Sequence, residues 1–106
     1  MTPRTLYHVT TGRNVKKYRE SGKIKGPVRE SDTLQGAMAW AMKVGREVIM
    51  LVHPVTEVHL LPDHHNRWGH AYWTGDAPVQ NMICAYSADG SWDAPPGQKQ
   101  EAKEAI

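Results

Sequence analysis

The sequence predicts an α+β fold: one small domain, with two helices in the N-terminal half packed on a mostly antiparallel β-sheet. Three observations predict it. The chain has 106 residues, a length that suits a single domain. Both segments with helical apolar spacing come before residue 46, and nearly every later apolar run reads as a strand. The links between those later strands are too short for crossover helices, so they pair antiparallel. Hydrophobic residues make up only 40% of the chain, which places part of it outside the core. Residues 1–87 form the expected domain, and 88–106 the expected extended or disordered tail.

Residues 5–9 (Thr-Leu-Tyr-His-Val) are β-branched and aromatic, follow Pro3 and end at Thr11-Gly12, so they predict a strand. Asn14 is a suitable N-cap for a short helix with Val15 and Tyr18 on one face. Gly22 closes that helix in the left-handed conformation that glycine adopts without a Cβ penalty. Residues 23–29, broken by Gly26-Pro27, allow small strand pieces around Ile24 and Val28. Ser31 or Asp32 then caps the best-defined helix, in which Leu34, Ala37, Met38, Ala41 and Val44 recur at helical spacing. Gly45 stops it.

Residues 47–52 are apolar on both faces and predict a central strand. Residues 55–61 alternate and predict a strand with one wet face. Residues 62–69 read as a loop, and 70–74 and 82–86 as two further strands. Beyond Ser87 little is apolar. Trp92 is the exception, a side chain able to dock back on the domain.

Charge and cysteine usage bound the function. Thirteen basic residues against eleven acidic ones give a net charge of +2, too balanced to indicate a polyanion or a membrane surface as partner. Much of the positive charge falls in the first thirty residues, where Arg13, Lys16, Lys17, Arg19, Lys23, Lys25 and Arg29 form a solvated face or a patch for nucleotide or nucleic acid. The single cysteine, Cys84, excludes an intrachain disulfide and sits in an apolar run, which reads as a buried structural thiol. With no apolar run long enough for a membrane helix, the expected location is the cytoplasm.

Six histidines are the first candidates for chemistry. Asp63, His64, His65 and His70 cluster in the sequence. Imidazole and carboxylate suit zinc-like ions, so Asp63, His65 and His70 define one alternative, a metal-binding protein. Adjacent His64 and His65 cannot both chelate one ion from a strand, whose neighbouring side chains point to opposite faces. Alternation puts Leu6, His8 and Thr10 on one face of the first strand and Tyr7 and Val9 on the other.

The run Leu6-Tyr7-His8-Val9-Thr10 resembles the first motif of histidine-type ADP-ribosyltransferases, a group that includes RNA 2′-phosphotransferases and DNA-modifying toxins. The layout over residues 5–86 is similar too. A helix follows the first strand, Ser31-Asp32-Thr33 precedes an Ala-rich helix, an apolar strand follows, and Ala71-Tyr72-Trp73, Pro78 and Ile83 mark the late strands.

That resemblance implies a split sheet and a cleft that binds NAD or a related nucleotide, from which ADP-ribose is transferred. It implies that His8 bonds a ribose of NAD, that Thr10 and Thr33 support the pocket, and that Arg13 or Arg29 meets the pyrophosphate. Tyr18, Trp40 or Tyr72 would stack on nicotinamide, with Tyr72 assigned to the cofactor site. Two positions depart from the family pattern. Val9 stands where many relatives carry glycine, and Gln80 where the transferases supply a catalytic glutamate. Gln80 can hydrogen-bond a hydroxyl but cannot act as a base. His8 and Gln80 are therefore the expected catalytic positions, and a catalytically inactive module that binds a partner protein, nucleic acid or nucleotide is the other alternative.

Overall fold

The structure is a computed structural model that describes residues 5–79, 82–87 and 90–93. Strand β1 (Leu6–Thr10) is central, as its apolar content requires. It is followed by helix α1 (Gly12–Ser21), strands β2 (Lys23–Ile24) and β3 (Val28–Ser31), and helix α2 (Leu34–Val44). Strands β4 (Val48–Val52), β5 (His59–Asn66), β6 (Gly69–Thr74), β7 (Ala77–Pro78), β8 (Met82–Tyr86) and β9 (Trp92–Asp93) complete the described chain. The main sheet has seven strands in the order β5-β6-β3-β1-β4-β8-β9, and β2 and β7 form a separate two-stranded ribbon. Every paired neighbour is antiparallel. The α+β class with a mostly antiparallel sheet is thus the fold observed.

The helices cover opposite faces of the sheet. On one face Ala37 and Ala41 of α2 pack against Val9, Ile49 and Cys84, with Tyr7, Leu34, Met38 and Trp92 at the margin. On the other, Val15 of α1 meets Val48 and Met50, while the ribbon residues Ile24 and Ala77 close over Val28 and Val52. The period-2 alternation of β4 feeds both layers: Val48, Met50 and Val52 to one side, Ile49 to the other. Trp92 docks as expected, through the pairing of Tyr86 with Trp92. The other tail residues, 88–89 and 94–106, lie outside the described residues, as does Gln80.

Both helix caps fall one or more residues from the expected ones. Thr11, not Asn14, caps α1, its Oγ1 accepting the Asn14 N–H at 3.2 Å. Thr33, not Ser31 or Asp32, caps α2, its Oγ1 accepting the Gly36 N–H at 3.0 Å. Asp32 is occupied elsewhere, accepting the His70 N–H at 2.8 Å. Gly22 and Gly45 end the helices at φ 81° and 72°, as predicted.

The largest departure is at β5. Residues 55–58 are not strand, and 62–66, expected as loop, are strand. β5 is an edge strand whose far side needs no partner, so Pro62 costs no ladder hydrogen bond there. A register irregularity between Leu61 and His65 absorbs the extra residues. Among the described residues no helix is long and apolar enough to cross a membrane.

Candidate functional site

The sheet is weakest between β1 and β3. The two strands share a single bridge, Tyr7 with Ser31. Immediately beyond it the backbone pairing gives way to a side chain: His8 Nδ1 lies 2.8 Å from the Arg29 carbonyl oxygen. A carbonyl only accepts, so Nδ1 carries the proton and Nε2 presents its lone pair. Nε2 faces the Tyr18 hydroxyl at 3.5 Å, and Thr10 Oγ1 donates to that hydroxyl at 3.4 Å. His8 is 8% exposed. Burial holds its pKa below the ordinary histidine value, against the Arg29 carbonyl bond, and the nearby Arg46 charge lowers it further. His8 is therefore a neutral wedge that takes over a backbone partner and holds the two strands apart.

A cleft of about 540 Å³ opens at this split, between α2 and the β5–β6 hairpin. That volume lies within the roughly 300–1,000 Å³ of small-molecule sites. Tyr7, Arg29, Ser31 and Ala71 line it from the sheet. Trp40, Lys43 and Val44 line it from α2, and Arg46 from just after the helix. Asp63, His64, His65 and His70 line it from the hairpin. His8 and Glu30, on strands that part here, also border it.

Charge in the cleft is uneven. Arg29, Lys43 and Arg46 are permanent cations. Asp63 is one acid, and Glu30 is only partly ionised near neutrality. Arg46 is tied to the sheet, donating to the Val9 carbonyl at 3.4 Å. Trp40 is an exposed ring on the rim, with Lys43 Nζ 6.0 Å from its centroid. Next to Arg29 on the sheet, its cross-strand neighbour Trp73 stacks on His59 at 4.2 Å between centroids.

Glu30 is the most unusual residue present. It is 3% exposed, and only one carboxyl oxygen is bonded: Thr74 Oγ1 donates to Oε2 at 3.0 Å. Oε1 is buried without a hydrogen-bond partner among the described residues. Burial raises the pKa to about 7, outweighing the Thr74 bond, which lowers it.

Of the residues expected from the sequence, the cleft gathers His8 and Arg29, Trp40 from the stacking candidates, and Asp63, His65 and His70 from the metal alternative. The others lie elsewhere. Thr10 is fully buried beneath α1, bonded to Tyr18. Arg13 is exposed on α1, across the sheet from the cleft. Thr33 uses its hydroxyl to cap α2 and to donate to the Trp68 carbonyl at 2.9 Å. Tyr72 pairs with Glu30 on the face away from α2 and donates to Asp32 at 3.5 Å. Gln80 is outside the described residues. His65 and His70 are cross-strand partners with ring centroids 5.9 Å apart, but no group of three His, Cys, Asp or Glu side chains among the described residues can hold a metal ion. Cys84 is buried, and burial pushes its thiol up to about 11, far from a nucleophile's range.

Sequence reasoning missed Lys43, Arg46 and Glu30. Lys43 reads as a helix C-terminal cation, favourable there for the helix dipole alone. Glu30 lies in the polar run Arg-Glu-Ser-Asp, and its only signal is period-2 spacing from the buried Val28. No family model, curated protein or solved structure matches the chain.

Proposed function

We propose that the protein binds a dinucleotide or nucleoside diphosphate of the NAD and ADP-ribose type in the cleft at the β1–β3 split. One observation carries this reading: Arg29, Lys43 and Arg46 converge on a single cleft that also holds the aromatic rings of Tyr7 and Trp40. Guanidinium and ammonium groups suit a pyrophosphate, and an exposed indole suits a base or nicotinamide ring. The resemblance of Tyr7-His8-Val9-Thr10 to the first motif of ADP-ribosyltransferases adds the ligand class.

In this reading Arg29 and Arg46 meet the phosphates from opposite sides of β1. His8 acts as a positioning residue, since both ring nitrogens face protein partners. Binding is the function proposed. Transfer of ADP-ribose to a protein or nucleic-acid target, which the resemblance also implies, would draw on Gln80. The absence of an intrachain disulfide fits a cytoplasmic setting.

Calorimetric titration of the full chain with NAD and with ADP-ribose tests the proposal. Saturable binding at one site is expected, weakened about tenfold or more by Arg29→Ala, as for loss of a charge-assisted bond of roughly 1.5–3 kcal/mol. Equal affinity in wild type and Arg29→Ala contradicts it.

A further inference from the structure

We propose that the seam between β1 and β3 is a proton-operated hinge. The half-sheet β3-β6-β5 stays seated against β1 while the Glu30 carboxyl carries a proton, and parts from it when that proton leaves.

The seam divides two firm ladders. β1 pairs with β4 at five successive residues, Leu6 to Thr10. β3 pairs with β6 at four, Val28 to Ser31. Between the ladders stand one bridge, Tyr7 with Ser31, and one side-chain bond, from His8 Nδ1 to the Arg29 carbonyl oxygen at 2.8 Å. Glu30 lies between Arg29 and Ser31, so both links flank it on its own strand.

The Glu30 side chain lies on the sheet face away from α2, with Tyr72 and Thr74 of β6. It is buried, and Thr74 Oγ1 donates to Oε2 at 3.0 Å, while Oε1 has no partner among the described residues. A proton neutralises this carboxyl and makes its burial tolerable. The carboxylate would keep one hydrogen bond and no cation, because among the described residues no ion pair reaches it. An unpaired buried charge is far costlier than a buried neutral group. The least costly route to water for Oε1 is to part the seam, where only the bridge and the His8 bond have to break. Burial raises the carboxyl pKa to about 7, which sets the change near neutrality.

The groups around Glu30 supply no countercharge. On β1, His8 is neutral, its pKa held down by burial, and Tyr18 faces it from α1. Met50 of β4, paired with His8, is apolar. On β6, burial and the Asp32 charge raise the pKa of Tyr72, which stays neutral. His70 meets Asp32 at 3.8 Å, with His65 of β5 beside it. At the ribbon, Lys23 pairs with Asp76 at 3.0 Å.

The cleft straddles the seam. Arg46 is tied to β1 through the Val9 carbonyl at 3.4 Å, whereas Arg29 rides on β3. Parting the strands changes the spacing of these two guanidinium groups. The proton on Glu30 thereby regulates the cleft from the opposite face of the sheet, whatever ligand the cleft takes.

Amide hydrogen exchange of the full chain, followed by NMR from about pH 5 to about pH 8, tests the hinge. The quantity read is the opening constant at Tyr7 and Ser31 in wild type divided by that in Glu30→Gln. It is expected to rise about tenfold per pH unit up to about pH 7 and to level off above, as release of one proton on opening requires. The ratio cancels the titration of His8, His65, His70 and Asp32. Low urea separates local parting from global unfolding. Exchange at Tyr7 and Ser31 is expected to be insensitive to it, because the seam exposes little surface, while amides of the β1–β4 ladder speed up. A ratio constant with pH overturns the hinge. So does a pH-dependent ratio whose urea response matches that of the β1–β4 ladder. If Glu30→Gln does not fold, Thr74→Val replaces it. The Thr74 bond lowers the Glu30 pKa, so its loss moves the levelling-off to higher pH, and an unmoved plateau overturns the proposal.

Discussion

Glu30 and His8 stand side by side at the split, and their pH effects on folding oppose each other. The folded pKa of Glu30 is raised from 4.5 to about 7. The folded state therefore holds its proton more tightly than the unfolded chain does. Its contribution to stability is full below about pH 4.5 and falls as pH rises toward 7, by about 2–3 kcal/mol. His8 works the other way. Its folded pKa is lowered, so its contribution is present above the unfolded value of 6.5 and is lost as pH falls through its folded pKa. Urea unfolding of wild type and Glu30→Gln as a function of pH separates the two. The stability of Glu30→Gln relative to wild type is expected to improve as pH rises from about 4.5 to about 7, and to level off above that. Cys84 gives a second check at this scale. With its thiol pushed up to about 11 and the side chain buried, alkylation at neutral pH is expected to be slow in native protein and fast once it is unfolded in urea.

At the scale of elements, the helices carry their own signals and the edge of the sheet does not. Helix α2 was legible because its apolar residues serve one packed face and Gly45 ends it. Its cap was misplaced by one or two residues because Ser31, Asp32 and Thr33 are all competent caps. Tertiary contacts decide among them, since Asp32 is drawn to the His70 N–H. The hydroxyl of Thr33 serves both the cap and the Trp68 carbonyl, so it joins α2 to the β5–β6 turn. Thr33→Ala is expected to cost about 1–2 kcal/mol by denaturant unfolding, with increased hydrogen exchange in the first turn of α2. Strand β5 was legible only to Leu61. Past that point its residues are almost all exposed, so no alternation marks them, and Asp-His-His-Asn after Pro62 reads as a turn. Gly69 shows how closely the hairpin approaches α2. A Cβ there would collide with the Asp32 carboxylate and approach Thr33 Oγ1 at 2.9 Å. Gly69→Ala is therefore expected to destabilise the fold and displace the hairpin, lowering the melting temperature.

For the whole molecule, the α+β class followed from the order of periodic segments, because both faces of the sheet need a cover and two amphipathic helices supply most of it. The cleft did not follow. Its cations come from β3, the last turn of α2 and the residue after Gly45, which lie together only once α2 packs across the sheet. Of the residues that border the cleft, His8, Arg29, Trp40, Asp63, His65 and His70 were legible as candidates in the sequence. Lys43, Arg46 and Glu30 were not, because each has an ordinary surface role in the linear sequence. A ligand held mainly by three cations is expected to weaken as salt rises from about 0.05 M to about 0.5 M, since screening shortens from roughly 14 Å to roughly 4 Å over that range. Affinity for ADP-ribose unchanged by salt would argue against a phosphate-centred site.

The chain offers two basic regions on opposite faces of the sheet, the cleft with Arg29, Lys43 and Arg46, and α1 with Arg13, Lys16 and Lys17. Backbone amide resonances followed during titration with ADP-ribose discriminate between them directly. Binding in the cleft predicts saturable shifts at Tyr7, Arg29, Ser31, Trp40 and Ala71, with α1 unmoved. Shifts confined to α1, or none at all, would contradict it.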